Sequence, residues 1–188
     1  MKRFLCLFIL MKVAFMSPSS QAQIDYYSGH EIIKGDVYTY AVTHNTDYVI
    51  VENIDNIKSR DPIIWTNTGE RAMYETRPLA EKDSKKLREI VLRVFTKKEI
   101  RKYTKSKNRF DVGVIIDPKT GSTLEVGFTL SNKERYNDPI LLSIPLSKLE
   151  QLETLLKQEL YWKVAPGSEY ASHIGLTLTI FTKRLRYY

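Results

Sequence analysis

The residues that could do chemistry are few and poorly grouped. His30, His44 and His173 are the only histidines, and no two stand three or four apart. A zinc centre needs such a pair, completed by cysteine or carboxylate. The one cysteine, Cys6, lies at the far N-terminus. No metal site is therefore expected, and the histidines read as surface or turn residues. A serine nucleophile would need a base and an orienting acid, but no Gly-x-Ser-x-Gly elbow occurs, and Pro166-Gly167-Ser168 reads as a turn. A glycosidase needs two carboxylates across a cleft. Glu52, Asp55, Asp61, Glu70 and Asp111 could supply them, but spacing alone does not pair them. No glycine-rich phosphate loop and no EF-hand spacing is present. No catalytic residue, cofactor or metal follows, and an enzyme is the weaker expectation.

The remaining chemistry is charge. Lys97, Lys98, Arg101, Lys102, Lys105, Lys107 and Arg109 form one basic run, and Lys183, Arg184 and Arg186 beside Tyr187 and Tyr188 form a second. Either could hold an anionic glycan or a phosphate backbone. A solvated helix face and an exposed tail explain them more simply and are the favoured reading. The first run is kept as a possible anion-binding site, without nucleic acid as the partner, for the reason that follows.

Lys2 and Arg3 precede an apolar run from Phe4 to Met16, broken only by Lys12. Small residues follow, with Ser20 and Ala22 at the −3 and −1 places of a cleavage site. This is the layout of a secretory signal peptide. The run is about 13 residues, short of the ~20 that span a bilayer. Residues 1–22 are expected to be removed, leaving Gln23 first, no transmembrane segment, and a protein of the periplasm, cell surface or medium. Cleavage would take away Cys6, so no disulfide is expected. It would lower the 29 basic residues by Lys2, Arg3 and Lys12 to 26, against 22 acidic, for a net charge of +4. The 166 residues left suit one ordinary domain, or a domain with a small companion.

Residues 23–79 read as a β-rich segment. Val37 to Thr43 and Tyr48 to Val51 are β-branched and aromatic runs around the turn residues His44 to Asp47, which predicts a hairpin. Asn53 to Asn56 is a further turn. Ile63 to Thr66 and Arg71 to Tyr74 around Asn67 to Glu70 predict a second hairpin. Residues 80–188 read as an α+β unit, expected to pack with 23–79. Leu87, Ile90, Val91, Val94 and Phe95 fall on one face of a helix within 81–104, with Asp83 or Ser84 as its cap. Thr96 to Glu99 is a capping box that breaks it and starts a second short helix. Phe110, Val112, Val114, Ile116 and Leu124, Val126, Phe128, Leu130 alternate on either side of Asp117 to Gly121, a strong hairpin pattern. Ser131 to Asp138 reads as a loop and Ile140 to Ile144 as extended before Pro145. Ser147 to Glu150 reads as another capping box, ahead of the helical stripe Leu149, Leu152, Leu155, Leu156, Leu160. Ile174 to Ile180 closes the chain as an alternating strand. The fold class is α+β: an antiparallel sheet with helices on one face, ordered helix, strand, strand, helix, strand in the second half and preceded by β-hairpins.

The stretch from Phe110 to Leu130, with the helix and strand that follow to Phe181, resembles the C-terminal domain of TonB. That family pairs an alternating strand, an acidic and glycine-bearing turn, and a second alternating strand. The resemblance implies a fold and no catalytic residue. The cleavable N-terminus and the lack of a Pro-rich spacer depart from an energy coupler. The whole chain is also similar to small exported Bacteroidetes proteins of unknown function, with Ser20 to Gln23 and Arg93 to Ile100 carrying the likeness. From all this the expected role is a non-enzymatic envelope protein that binds a protein or peptide, with an anionic polysaccharide or lipopolysaccharide binder and an acid-pair hydrolase as alternatives.

Overall fold

The computed structural model describes residues 26–73, 77–106, 108–131 and 140–181. Residues 1–22, Lys107, the loop from 132 to 138 and the basic tail at 183–188 lie outside or partly outside these ranges, so the readings placed on them have no structural account here.

Among the described residues six strands form one antiparallel sheet. They are β1 (Ile32–Lys34), β2 (Thr39–His44), β3 (Tyr48–Asn53), β5 (Phe110–Ile116), β6 (Thr123–Ser131) and β8 (Ile174–Thr179), in the spatial order β1-β2-β3-β6-β5-β8. Strands from both halves of the sequence thus share hydrogen bonds, with β3 beside β6. Three α-helices, α1 (Ser84–Val94), α2 (Lys97–Tyr103) and α3 (Leu146–Glu159), accompany the sheet. The α+β class is observed.

Period two in the sequence becomes two faces. Tyr40, Val42, Val49, Val51, Val112, Val114, Val126 and Phe128 are buried on the face toward the helices. Helix α3 lies over β6 and α1 lies against α3. Leu149, Leu152 and Leu156 are fully buried, as the stripe predicts. Asp83 caps α1 by accepting from the N–H groups of Lys85 and Lys86. Thr96 and Glu99 form the expected capping box and start α2.

Buried carboxylates on α3 tie it to the N-terminal strands. Glu153 is wholly buried. It accepts from Tyr40 Oη at 2.8 Å, Asn53 Nδ2 at 3.0 Å and Lys157 Nζ at 2.6 Å. Burial, then the Glu153 charge, pushes the Tyr40 phenol far upward, so it stays a donor. One turn away, Glu150 accepts from the backbone N–H groups of Asp36, Val37 and Tyr38.

That contact corrects the expected capping box at Ser147 to Glu150. The helix begins at Leu146 after Pro145, with no side-chain cap, and Glu150 serves a distant segment instead. Ile140 to Ile144 is also not extended. Leu141–Ser143 is a 3₁₀ turn with Leu141 and Leu142 buried. The restriction before proline acts on one residue only, and only Ile144 is extended (φ −76°, ψ 119°). The hairpin expected at Ile63 to Tyr74 reduces, in its described part, to a single bridge, Ile64 with Arg71. Trp65 pairs with Ala171 instead. Two short strands not foreseen, β4 (Ala80–Lys82) and β7 (Trp162–Val164), make a separate two-stranded ribbon.

Candidate functional site

The sheet has a second face, away from the helices, and its residues alternate with the core ones. The register aligns Glu52 on β3, Gly127 on β6, Gly113 on β5 and Thr177 on β8 in one row across the sheet. The next row holds Ile115 opposite Gly175. The loop after β3 folds over part of this face. Asn56 Nδ2 donates to the Val126 carbonyl at 2.8 Å. Glu125 rises from the face to accept from the backbone N–H groups of Ile57, Lys58 and Ser59 at 2.7–2.9 Å. These contacts pin the loop and leave an open groove of about 450 Å³ beside it. Glycine supplies the floor; Ile50, Ile63 and Ile115 are apolar neighbours; Ser59, Thr129 and Thr177 bring hydroxyls.

The groove gathers five charged or titratable residues from separate parts of the sequence: Glu52, Asp61, Arg77, Glu125 and His173. Glu52 accepts from Ser59 Oγ at 2.6 Å and stands 3.8 Å from Arg60. Asp55, Glu70 and Asp111 go elsewhere. Asp111 accepts from Thr179 Oγ1 at 2.6 Å and pairs with Arg109 at 3.2 Å. No group of three metal-ligating side chains occurs among the described residues.

His173 corrects the sequence reading, because it is neither a surface nor a turn histidine. It is 4% exposed. Its Nδ1 lies 3.1 Å from Ser172 Oγ, which also accepts from the Ile64 N–H. Burial, with Lys58 adding to it, holds the imidazole below its ordinary range, against the opposing pull of Asp61 and Glu125. The ring is therefore neutral at pH 7. Nε2 has no partner among the described residues, and His173 lines the groove. His44, by contrast, contacts the His30 carbonyl through Nε2 at an exposed site.

The second feature is the sheet edge. β8 ends the sheet, and no strand among the described residues pairs with its outer side. Ile180 N–H donates to the Phe110 carbonyl. That bond sets the alternation along β8: Leu176 and Leu178 direct their backbone groups to β5, while Gly175, Thr177 and Thr179 direct theirs outward. β8 carries no charge and no proline. The opposite edge, β1, is only three residues and ends in Lys34. Beyond the β8 edge lies a slot of about 360 Å³, bounded by Ala80, Glu81, Lys82, Trp162 and Leu178. Leu176 and Thr177 border both this slot and the groove.

The predicted anion-binding residues lie elsewhere, on and after α2. Lys97, Lys98, Arg101 and Lys105 are exposed, and none of the four has an acidic partner among the described residues. Lys102 donates to Ser143 Oγ at 2.8 Å, and Arg109 is held by Asp111 and Thr179. Three of the four exposed cations thus share one short helix, and Lys105 follows just after it.

No protein-family model matches the sequence. No curated protein matches it either. Among solved structures, the chain is similar to a DUF5043 family protein from Bacteroides uniformis, with a TM-score of 0.66 and 21% identity, over 86% of this chain and 90% of that one. The two share a fold. The match agrees with the likeness to Bacteroidetes proteins of unknown function and brings no support to the likeness to TonB.

Proposed function

We propose that this is a non-catalytic binding protein of the cell envelope that captures an extended segment of a partner protein by adding it as a strand to β8. The carrying observation is the unprotected edge. Natural sheets blunt free edges with lysine, proline, bulges or short length. β1 is blunted by its length and Lys34, whereas β8 offers six uncharged residues and outward N–H and C=O groups at Gly175, Thr177 and Thr179. Strand addition draws affinity from main-chain hydrogen bonds and specificity from pockets that take alternate side chains. The slot beside Trp162 and the groove beyond Thr177 are two such pockets, one on each face of an added strand. The N-terminal pattern of residues 1–22 supports export, and with it an envelope partner.

Thr177→Pro tests the reading. Its N–H points outward, so proline there removes an edge donor and no ladder bond. The variant should melt like wild type and lose the envelope partner captured by cross-linking. Retention of that partner would overturn edge capture, as would a concentration-dependent dimer that the substitution abolishes. A second reading, an anionic glycan bound at α2, is favoured by the four cations on and just after it that have no acidic partner among the described residues. It predicts an association that salt weakens and Thr177→Pro leaves intact.

A further inference from the structure

The edge strand contains a glycine that the fold does not require. Gly175 has no positive φ, and a Cβ built on it meets only Ile115 Cδ1, at an ordinary 3.6 Å. Gly113 and Gly127 are alike: their nearest neighbours would stand at 3.9 and 3.8 Å. Glycine inside a strand is destabilising by ~0.5–1 kcal/mol relative to alanine, and it marks places where a ligand or another backbone comes close. Here three such glycines share the open face. In sheets, glycine is compensated when a cross-strand aromatic ring lies over it. No ring of this chain does so among the described residues. Phe128 borders the groove through its backbone, and its own ring is fully buried on the other face, stacked near Phe110. The independent sign of a ligand is His173, which lines the same groove, is more than nine-tenths buried, and has no partner for Nε2 among the described residues.

We propose that the strand captured at β8 carries a tyrosine opposite Gly175, its ring lying over the glycine against Ile115 and its hydroxyl hydrogen-bonded to His173 Nε2. The inference rests on strand addition at β8 and names the partner's chemistry. Gly175 turns its N–H and C=O outward, so the residue facing it pairs directly, with its side chain on the groove side. His173 stands two residues before Gly175, just ahead of β8, and lines the same groove. Diagonal neighbours of this kind lie ~7–8 Å apart, within reach of an aromatic side chain. A buried tyrosine keeps its hydroxyl paired. That hydroxyl can donate or accept, so it suits either tautomer of a neutral imidazole. Phenylalanine would leave Nε2 without a partner.

The test is selection of a displayed random-heptamer library on the full chain, followed by affinities of the enriched peptides. Enrichment of a tyrosine at one fixed position is expected. Its change to phenylalanine should weaken binding roughly five- to tenfold, the worth of one hydrogen bond, and this loss should vanish on His173→Phe protein. Gly175→Val should bring the tyrosine peptide down to its alanine analogue; Gly175→Ala, whose Cβ fits, serves if the valine variant fails to melt cooperatively. Thr177→Pro should abolish every enriched peptide. Enriched peptides lost on Thr177→Pro but lacking a fixed tyrosine, or indifferent to Gly175→Val, would overturn this inference and leave strand addition standing. Peptides that bind Thr177→Pro unchanged, or no enrichment at all, would overturn both.

Discussion

Glu150→Ala is the sharpest perturbation of the framework that holds the sheet to α3. The Glu150 carboxylate gathers three backbone donors: Asp36 at 3.0 Å, Val37 at 2.7 Å and Tyr38 at 2.8 Å. Glu150 is 5% exposed. Hydrogen bonds to a charged group contribute ~1.5–3 kcal/mol each, so three would give ~4.5–9 kcal/mol if wholly shielded. Asp36 and Val37 are exposed, and water replaces part of what is lost there. The expected cost is therefore below that range, about 3 kcal/mol. For a chain of this size each kcal/mol moves the melting temperature by ~2–4 °C, so a drop of roughly 6–12 °C is expected. Gly35 supplies the control. A Cβ there would fall onto Glu150 Oε1, so Gly35→Ala should destabilise by displacing the carboxylate from its donors. In the Glu150→Ala background that clash is gone. Thermal and urea melts of the two single variants and the double variant should show a coupling of at least ~1 kcal/mol. Additive costs, or a Glu150→Ala variant within ~0.5 kcal/mol of wild type, would refute the carboxylate's role.

Three other outcomes follow from buried, titrating and exposed groups. Leu152→Asp should abolish the cooperative melt, because a fully buried, unpaired carboxylate costs several kcal/mol of a total near ~5–15 kcal/mol; a wild-type melt would place Leu152 in solvent. His173 is held below 6.5 in the folded chain, so the unfolded chain takes up the proton first as pH falls. Its contribution is fully present well above 6.5 and declines as pH falls through 6.5 and on through the lower folded value, so wild type should lose stability relative to His173→Gln as pH falls below about 6.5; parallel curves would contradict this. Changing Lys97, Lys98, Arg101 and Lys105 to Glu should shift stability by less than ~0.5 kcal/mol each. If a salt-sensitive envelope association disappears with them, the anionic-glycan reading takes first place.

The parts of the fold that were legible are those where local chemistry and tertiary burial agree. Thr96 and Glu99 satisfy each other three residues apart, so their capping box is visible in sequence and present in the structure. The alternation from Phe110 to Leu130 predicts the hairpin and most of its buried face; the exception is Leu124, because a register shift at Ile115/Ile116 pairs Ile116 with Thr123 and buries Thr123 in its place. The failures have one cause, a distant partner overriding a local preference. Ser147 and Glu150 have the spacing of a cap, but Glu150 meets residues over a hundred positions away. Ala80 to Lys82 carries no strand pattern of its own and extends because Trp162 to Val164 pairs with it. His173 looks like any histidine after a serine until Ile64 and Lys58 close around it.

The candidate site was hidden for a different reason. Gly113, Gly127 and Gly175 sit at positions that alternate with the core residues, so in sequence they only make one face of each strand look polar or neutral. Their meaning depends on register. Sliding β8 by one residue would turn Gly175 to the core face and Leu176 to the groove. The observed register instead places Gly175 beside Ile115 and Thr177 beside Gly113, next to an edge with which no strand pairs among the described residues. A missing side chain and an unpaired backbone are both silent in a sequence. When the fold brings them together beside an imidazole whose Nε2 has no partner among the described residues, the chain has left room on the face, bonds on the edge and a polar contact at the end. A strand from another protein, with one ring on it, would use all three.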